Sequence, residues 1–206
     1  MDLGKQVENA IREGQRVQQQ VQEITLKALT ERQLDFEGMR KVTREAFDAV
    51  RNAASTQETG MREAAKQAVR GVEAALAKAT EALKLSLEEA GGRLDRFSKE
   101  DLAKARADLG EVEKMFVQTL KDTAKAAQGA ARVSLEELAR HAEASGTAVG
   151  RQLRETAVHT DALAGAARAQ FKAGVDAAAT GGALFARAAA GVLAAFADAI
   201  EPKKKQ

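Results

Sequence analysis

The stretch from Met61 to Ala90 reads MREAAKQAVRGVEAALAKATEALKLSLEEA and sets the pattern of the whole chain. Its small and apolar residues recur at steps of four and three, at Met61, Ala65, Ala68, Val72, Ala75, Ala79, Leu83, Ser86 and Ala90. This spacing places them on one face of an α-helix, along a seam that packs against other helices. The pattern recurs along most of the chain, so the sequence predicts long, packed helices.

The composition favours helices and a thin core. The chain has 206 residues, with no tryptophan, tyrosine or cysteine and a single proline, Pro202. Because proline is the strongest helix stop, helices can run almost anywhere before residue 202. Alanine, the main apolar residue, has high helix propensity but buries little area. We therefore expect an all-α fold: an elongated antiparallel bundle of four to six long amphipathic helices with coiled-coil-like packing.

The charge pattern argues against a nucleic-acid partner. The formal net charge is +2, and three of the positive charges belong to Lys203, Lys204 and Lys205 at the C-terminal end. Elsewhere acidic and basic residues are interleaved, whereas a nucleic-acid binder collects its basic residues on one face. The absence of cysteine excludes disulfides and thiolate metal sites. The first residues lack the apolar core of a signal peptide, so we expect a cytoplasmic protein.

Helix start and stop signals divide the chain into one extended helical domain over residues 1–201 and a basic tail over 202–206. Thr30 and Gln33 form a capping-box pattern, Gly91 and Gly92 end the organising helix, and Ser98 and Thr147 are N-cap candidates. The predicted helices cover residues 2–29, 31–54, 59–95, 98–144 and 147–200. Two positions stay open: residues 55–60 form either a loop or a weak turn inside one helix, and Gly181-Gly182 either kinks or splits the last helix.

Residues 177–197 depart most strongly from the rest of the chain, with Arg187 as the single charge among twenty-one residues. The segment is long enough to span a bilayer. Its alanines and glycines, however, contribute too little favourable transfer free energy to offset the cost of placing Arg187 at the bilayer centre. Two interpretations remain: its apolar stripe is buried among the other helices, or it is exposed and binds an apolar surface or a partner helix. The candidate contact residues are Leu184, Phe185, Val192, Leu193, Phe196 and Ile200. The lysines at 203–205 would add attraction to an anionic surface, or serve only as a solubilising tail.

No arrangement of side chains predicts chemistry. His141 and His159 lie eighteen residues apart, and Glu137, four residues before His141, makes with it only the single carboxylate–imidazole pair that is common on helix surfaces. The adjacent carboxylates Glu88-Glu89 and Glu136-Glu137 diverge on a helix and do not converge as an acid/base couple would. We therefore predict no catalytic, cofactor-binding or metal-binding residues, no cofactor, no small-molecule substrate and no enzymatic activity.

Four stretches together resemble a known group of proteins: EITLKALTERQL at 23–34, VEAALAKATEALKLSLEEA at 72–90, FSKEDL at 97–102 and GTAVG at 146–150. They are similar to an uncharacterised family of bacterial all-helical proteins, and the similarity spans about residues 5–150. The resemblance supplies no site residues. In composition and helix pattern alone, the chain also resembles phasins, the amphipathic proteins that coat bacterial polyester granules.

These observations lead to two functional expectations. The first is a non-catalytic, phasin-like coat or adaptor that binds an apolar surface, such as a storage granule or membrane face, or partner helices. The second is a self-assembling coiled-coil scaffold. Because alanine-rich seams bury little area in one copy, we expect a homo-oligomer in either case.

Overall fold

The computed structural model describes residues 2–31, 35–55, 60–91 and 99–153. Within these ranges the chain is helical and contains no strand, so the all-α prediction is confirmed. Six helices follow one another: α1 (Leu3–Glu13), α2 (Val17–Glu31), α3 (Phe36–Ala54), α4 (Met61–Gly91), α5 (Lys99–Ala126) and α6 (Gly129–Ser145). The chain is helical again over 148–153, at the end of the described part.

Helix α4 contacts each of the other five described helices, as α3 also does. The predicted seam residues between Met61 and Ser86 are all buried. The buried face is wider than that seam, because Val69, Leu76 and Leu87 lie off it and are buried as well. The core is therefore broader than the thin seam expected from the alanine content, since α4 is covered from several sides.

The directions of the helices follow from contacts between them. Glu8 of α1 accepts a hydrogen bond from the side-chain amide of Asn52 in α3 (3.2 Å), and a Cβ built at Gly4 lies 4.0 Å from Cβ of Ala49. These pairs progress in the same order, so α1 and α3 are parallel. The rings of Phe47 in α3 and Phe116 in α5 meet edge to face, with centroids 5.4 Å apart. This aromatic pair joins α3 and α5 within the core.

The prediction of one helix over 2–29 is wrong, because the chain turns between α1 and α2. Gly14 has φ 67° and Arg16 has φ 46°, both in the left-handed region. The amide of Gly14 still bonds to the carbonyl of Ala10, which closes the end of α1. The apolar spacing continues across the turn, and this continuity hid it in the sequence.

The prediction of one helix over 98–144 is also wrong. The structure ends α5 at Ala126 and begins α6 at Gly129, which has φ 56°. Lys121 of α5 forms an ion pair with Glu143 of α6, whereas Glu113, earlier in α5, contacts Thr147, beyond the end of α6. The order of the pairs reverses, so α5 and α6 form an antiparallel hairpin.

The capping box predicted at Thr30 and Gln33 is wrong as well. Helix α2 continues through Thr30, whose hydroxyl donates to the carbonyl of Lys27 at 2.8 Å. Gln33 lies outside the described residues. The N-cap of α3 is Asp35, whose carboxylate accepts a hydrogen bond from the amide of Gly38 at 2.7 Å. Aspartate suits this position because its oxygen satisfies an amide that has no partner within the helix.

The two positions left open by the sequence have different outcomes. Helix α3 ends at Ala54 and α4 begins at Met61, and Gly60 has φ 89°, so a single helix does not run through this stretch. Residues 56–59 lie outside the described part, as do Ser98 and the Gly181-Gly182 pair.

Helices α2 and α4 approach each other closely at Gly71, where α4 has no side chain. A Cβ built at Gly71 would lie 2.5 Å from the carbonyl oxygen of Gln18 and 3.0 Å from Cβ of Val21. Real Cβ atoms essentially never lie that close to main-chain oxygen. Glycine at position 71 therefore sets the separation of the two helices.

Buried hydroxyl groups in the core differ in their partners. The hydroxyl of Thr43 donates to the carbonyl of Met39 at 2.7 Å, and that of Thr119 donates to the carbonyl of Met115 at 2.8 Å. The hydroxyl of Thr80, a residue with 0% exposure, has no hydrogen-bond partner in the described structure. A buried polar atom without a partner costs stability, so Thr80 is a local defect in the core.

Candidate functional site

All of the predicted surface-contact residues lie outside the described part of the chain. This applies to Leu184, Phe185, Val192, Leu193, Phe196 and Ile200, and to Lys203, Lys204 and Lys205. Their predicted roles are therefore untested. The candidate site is the junction between α6 and the helical stretch 148–153, just before the C-terminal quarter of the chain.

The junction between α6 and the helical stretch 148–153 is built around Thr147, which is 1% exposed. Its hydroxyl accepts a hydrogen bond from the amide of Gly150 at 2.8 Å. This is the N-cap geometry, in which a threonine oxygen satisfies an amide of the first helical turn. The prediction that Thr147 is an N-cap is confirmed for the helix described over 148–153.

Two carboxylates from other helices hold this junction. Glu113 of α5 accepts hydrogen bonds at one oxygen from the amide of Thr147 (3.0 Å) and from its hydroxyl (2.8 Å). Glu73 of α4 accepts a hydrogen bond from the amide of Ala148 at 2.5 Å. Both carboxylates are half-buried and lie at the start of a helix, where the peptide dipoles favour negative charge. The start of the 148–153 helix is thereby attached to both α4 and α5.

Gly150 provides the space for one of these carboxylates. A Cβ built at Gly150 would lie 1.9 Å from Oε1 of Glu113 and 2.1 Å from its Cδ. Any side chain at this position would displace the carboxylate from Thr147. Within the stretch GTAVG, Thr147 therefore donates hydrogen bonds to Glu113, and Gly150 leaves the space that the Glu113 carboxylate occupies.

An open groove of about 590 Å³ lies beside the junction, between α5 and the C-terminal end of α6. Charged groups in its walls come from Glu113, which is bonded to Thr147, and from Lys114, Lys121 and Glu143. Lys121 and Glu143 pair across the two helices, and Lys114 pairs with Glu111 on its own helix at 3.2 Å. Each of these charged groups already has a partner within the protein, so the groove does not indicate what kind of ligand would bind.

The other titratable groups in the described part of the chain do not assemble into a site. Arg40 donates a hydrogen bond to the Glu37 carboxylate and, with the nearby charges of Lys41 and Arg44, holds the pKa of Glu37 below its ordinary value. This ion pair lies on the surface of one helix. Such pairs contribute little to stability and do not indicate a functional site. His141 is exposed, with Nδ1 3.4 Å from the hydroxyl of Ser145, and His159 lies outside the described residues.

Within the described ranges, no group of three or more histidine or carboxylate side chains is placed to hold a metal ion. None of the helices in the same ranges has the length and hydropathy needed to cross a membrane.

Comparison with protein families assigns the chain. The family of unknown function DUF6781 matches residues 1–202. The chain belongs to DUF6781. Neither a curated protein nor a solved structure matches it. The resemblance to an uncharacterised all-helical family is thus confirmed, and the DUF6781 match extends through the C-terminal segment that the quoted stretches did not cover.

In this DUF6781 chain, the local sequence indicates one half of the junction. The stretch GTAVG and its threonine cap were visible from local spacing. Glu73 and Glu113 were missed, because each is one of many helical glutamates and lies far from Thr147 in the sequence. Only the packing of α4 and α5 beside the junction brings the two carboxylates to it.

Proposed function

We propose that the protein is a non-catalytic, phasin-like coat or adaptor that lays amphipathic helices on an apolar surface, such as a storage granule or a membrane face, or against partner helices. The observation that carries this proposal is the composition of residues 177–197, in which Arg187 is the single charge, together with the three lysines at 203–205. Such a segment can bury its apolar stripe while its lysines remain near an anionic layer.

The junction at Thr147 supports this proposal. Glu73 and Glu113 attach the start of the 148–153 helix to α4 and α5. A coat protein would benefit from such a fixed point in the chain before its surface-binding segment. The elongated antiparallel bundle with coiled-coil-like packing is part of the same proposal.

Flotation with anionic lipid vesicles and with polyester particles tests the proposal on the full-length chain. We expect binding that falls at least several-fold in the variant F185D/F196D/I200D. The matched control is the pair of single variants L85D and V133D. Leu85 and Val133 are exposed apolar side chains in the described part, with 41% and 59% exposure, so these changes should leave flotation unaltered. Failure of the unsubstituted protein to float with either particle would refute binding to an apolar surface.

A self-assembling helical scaffold is the second candidate, favoured by the four-three spacing of apolar residues that is sustained along the chain. This alternative predicts a stable oligomer that is indifferent to vesicles and particles. Light scattering coupled to size-exclusion chromatography separates the two candidates, and a strictly monomeric mass at high concentration would eliminate the scaffold.

A further inference from the structure

The turn between α5 and α6 breaks the helix, but the spacing of buried residues continues across it. The buried residues of the two helices include a series that advances by steps of three and four from one helix into the next: Leu109, Val112, Phe116, Leu120, Thr123, Ala127, Ala131 and Ser134. In one uninterrupted helix these residues would share a face. The same side chains therefore suit both a hairpin and a straight helix.

The turn itself is weakly specified. Gln128 is the N-cap residue of α6, but its side chain makes no capping hydrogen bond. By contrast, α1 and α3 begin with aspartates, Asp2 and Asp35, whose side chains accept from helix amides. Around the turn, Ala126, Ala127 and Ala131 all have the highest helix propensity. Gly129, with φ 56°, is the residue that favours the bend.

We propose that this hairpin opens at residues 127–129 and exchanges α6 with a second copy of the chain. In the exchanged dimer, residues 99–145 form one helix about 70 Å long. Its α6 portion occupies, in the partner copy, the place that α6 occupies in the closed monomer. A short hinge between elements that can join into one helix is a favourable arrangement for such exchange.

A second copy can accept the exchanged α6 because its α4 and α5 offer the same contacts that α6 makes in the closed monomer. The ion pair between Lys121 and Glu143 joins α5 to α6, and the pair between Lys66 and Glu137 (3.6 Å) joins α4 to α6. Both would form between copies, as would the apolar contacts of Leu135, which is fully buried. An opened monomer would expose these surfaces to water, so opening requires the partner copy. The exchange needs no apolar particle and is independent of the proposed coat function.

The chain contains no cysteine, so single introduced thiols report the exchange cleanly. Copies carrying K121C are mixed in denaturant with copies carrying E143C, refolded, concentrated and treated with a short bismaleimide. In closed monomers each thiol lies beside an unsubstituted side chain and no link forms. In exchanged dimers position 121 of one copy lies beside position 143 of the other, and we expect a covalent dimer on a denaturing gel. Each copy treated alone is the background control.

Two changes at the hinge should have opposite effects on the amount of exchanged dimer. The substitution G129A should raise it, and a four-residue insertion should lower it. G129A places a side chain at a left-handed position, which disfavours the turn by about tenfold per hinge and should raise the dimer fraction accordingly. G110A is the matched control, because Gly110 lies within α5 and a Cβ there has no neighbour within 4 Å. Inserting Gly-Ser-Gly-Ser between residues 127 and 128 interrupts the straight helix and should reduce the cross-linked dimer to background.

Three results would overturn the proposal. One is a monomeric mass by light scattering for both the unsubstituted chain and G129A at high concentration. Another is a dimer in which the mixed K121C and E143C copies give no link above background. The third is as much linked dimer with the four-residue insertion as without it. The insertion variant keeps the hairpin accessible, so it remains informative even if G129A lowers the yield of folded protein.

Discussion

Replacing Gly71 by alanine should destabilise the protein, although alanine is the better helix former. In an exposed helical position this change stabilises by about 1 kcal/mol. At position 71 the new Cβ would lie 2.5 Å from the carbonyl oxygen of Gln18, whereas ordinary contacts begin near 3.4 Å. Because the opposing atom belongs to the main chain of α2, no side chain can rotate away, and the two helices must separate.

The size of the effect follows from these two opposing terms. Overpacking of a tight core contact costs about 1 to 3 kcal/mol. A main-chain contact falls toward the upper part of that range, so after the helix-propensity gain we expect a net loss of about 1 to 2 kcal/mol. For a chain of this length, that corresponds to a fall in melting temperature of about 2 to 8 °C.

Urea unfolding followed by far-ultraviolet circular dichroism measures this difference, and it suits a chain without tryptophan or tyrosine. The control is G110A, an exposed position within α5 where a Cβ meets nothing within 4 Å. We expect G110A to gain up to about 1 kcal/mol. If G71A proved as stable as G110A, the close approach of α2 and α4 at this glycine would be refuted.

Two further substitutions test the junction and the core. G150A displaces the Glu113 carboxylate and so loses about 1.5 to 3 kcal/mol of bonding to a charged acceptor, while alanine gains about 1 kcal/mol in helix propensity, for a net loss of about 0.5 to 2 kcal/mol; unchanged urea stability would contradict the role assigned to that gap. T80V should stabilise the protein by about 1 kcal/mol, since it removes a buried hydroxyl without a partner. T43V is its control, because the Thr43 hydroxyl is bonded; equal losses in both threonine variants would refute the distinction.

Local spacing in the sequence determined which residues form helices and which face of α4 is buried. Four-three periodicity from Met61 onward is a property of the helix itself, so it needed no knowledge of the neighbours. The cap at Thr147 was visible for the same reason. The fold class and much of the core could therefore be predicted before any contact between helices was known.

The tertiary structure alone decided where helices turn back. The apolar spacing passes through both Gly14 and Gly129 without a change of phase, and neither turn contains proline. A straight helix and a hairpin satisfy such a pattern equally well, and the choice depends on what the seam packs against. The sequence therefore predicted one helix in each case, whereas the packed core holds two.

The same distinction applies to the candidate site. Thr147 and Gly150 are close in the sequence, and their pairing follows from helix geometry. Glu73 and Glu113 reach them only because α4 and α5 pack side by side at the end of α6. Local periodicity fixes the helices and their apolar faces because those depend on a few consecutive residues. The turns and the carboxylate-held junction depend on residues far apart in the chain, so only tertiary packing could determine them.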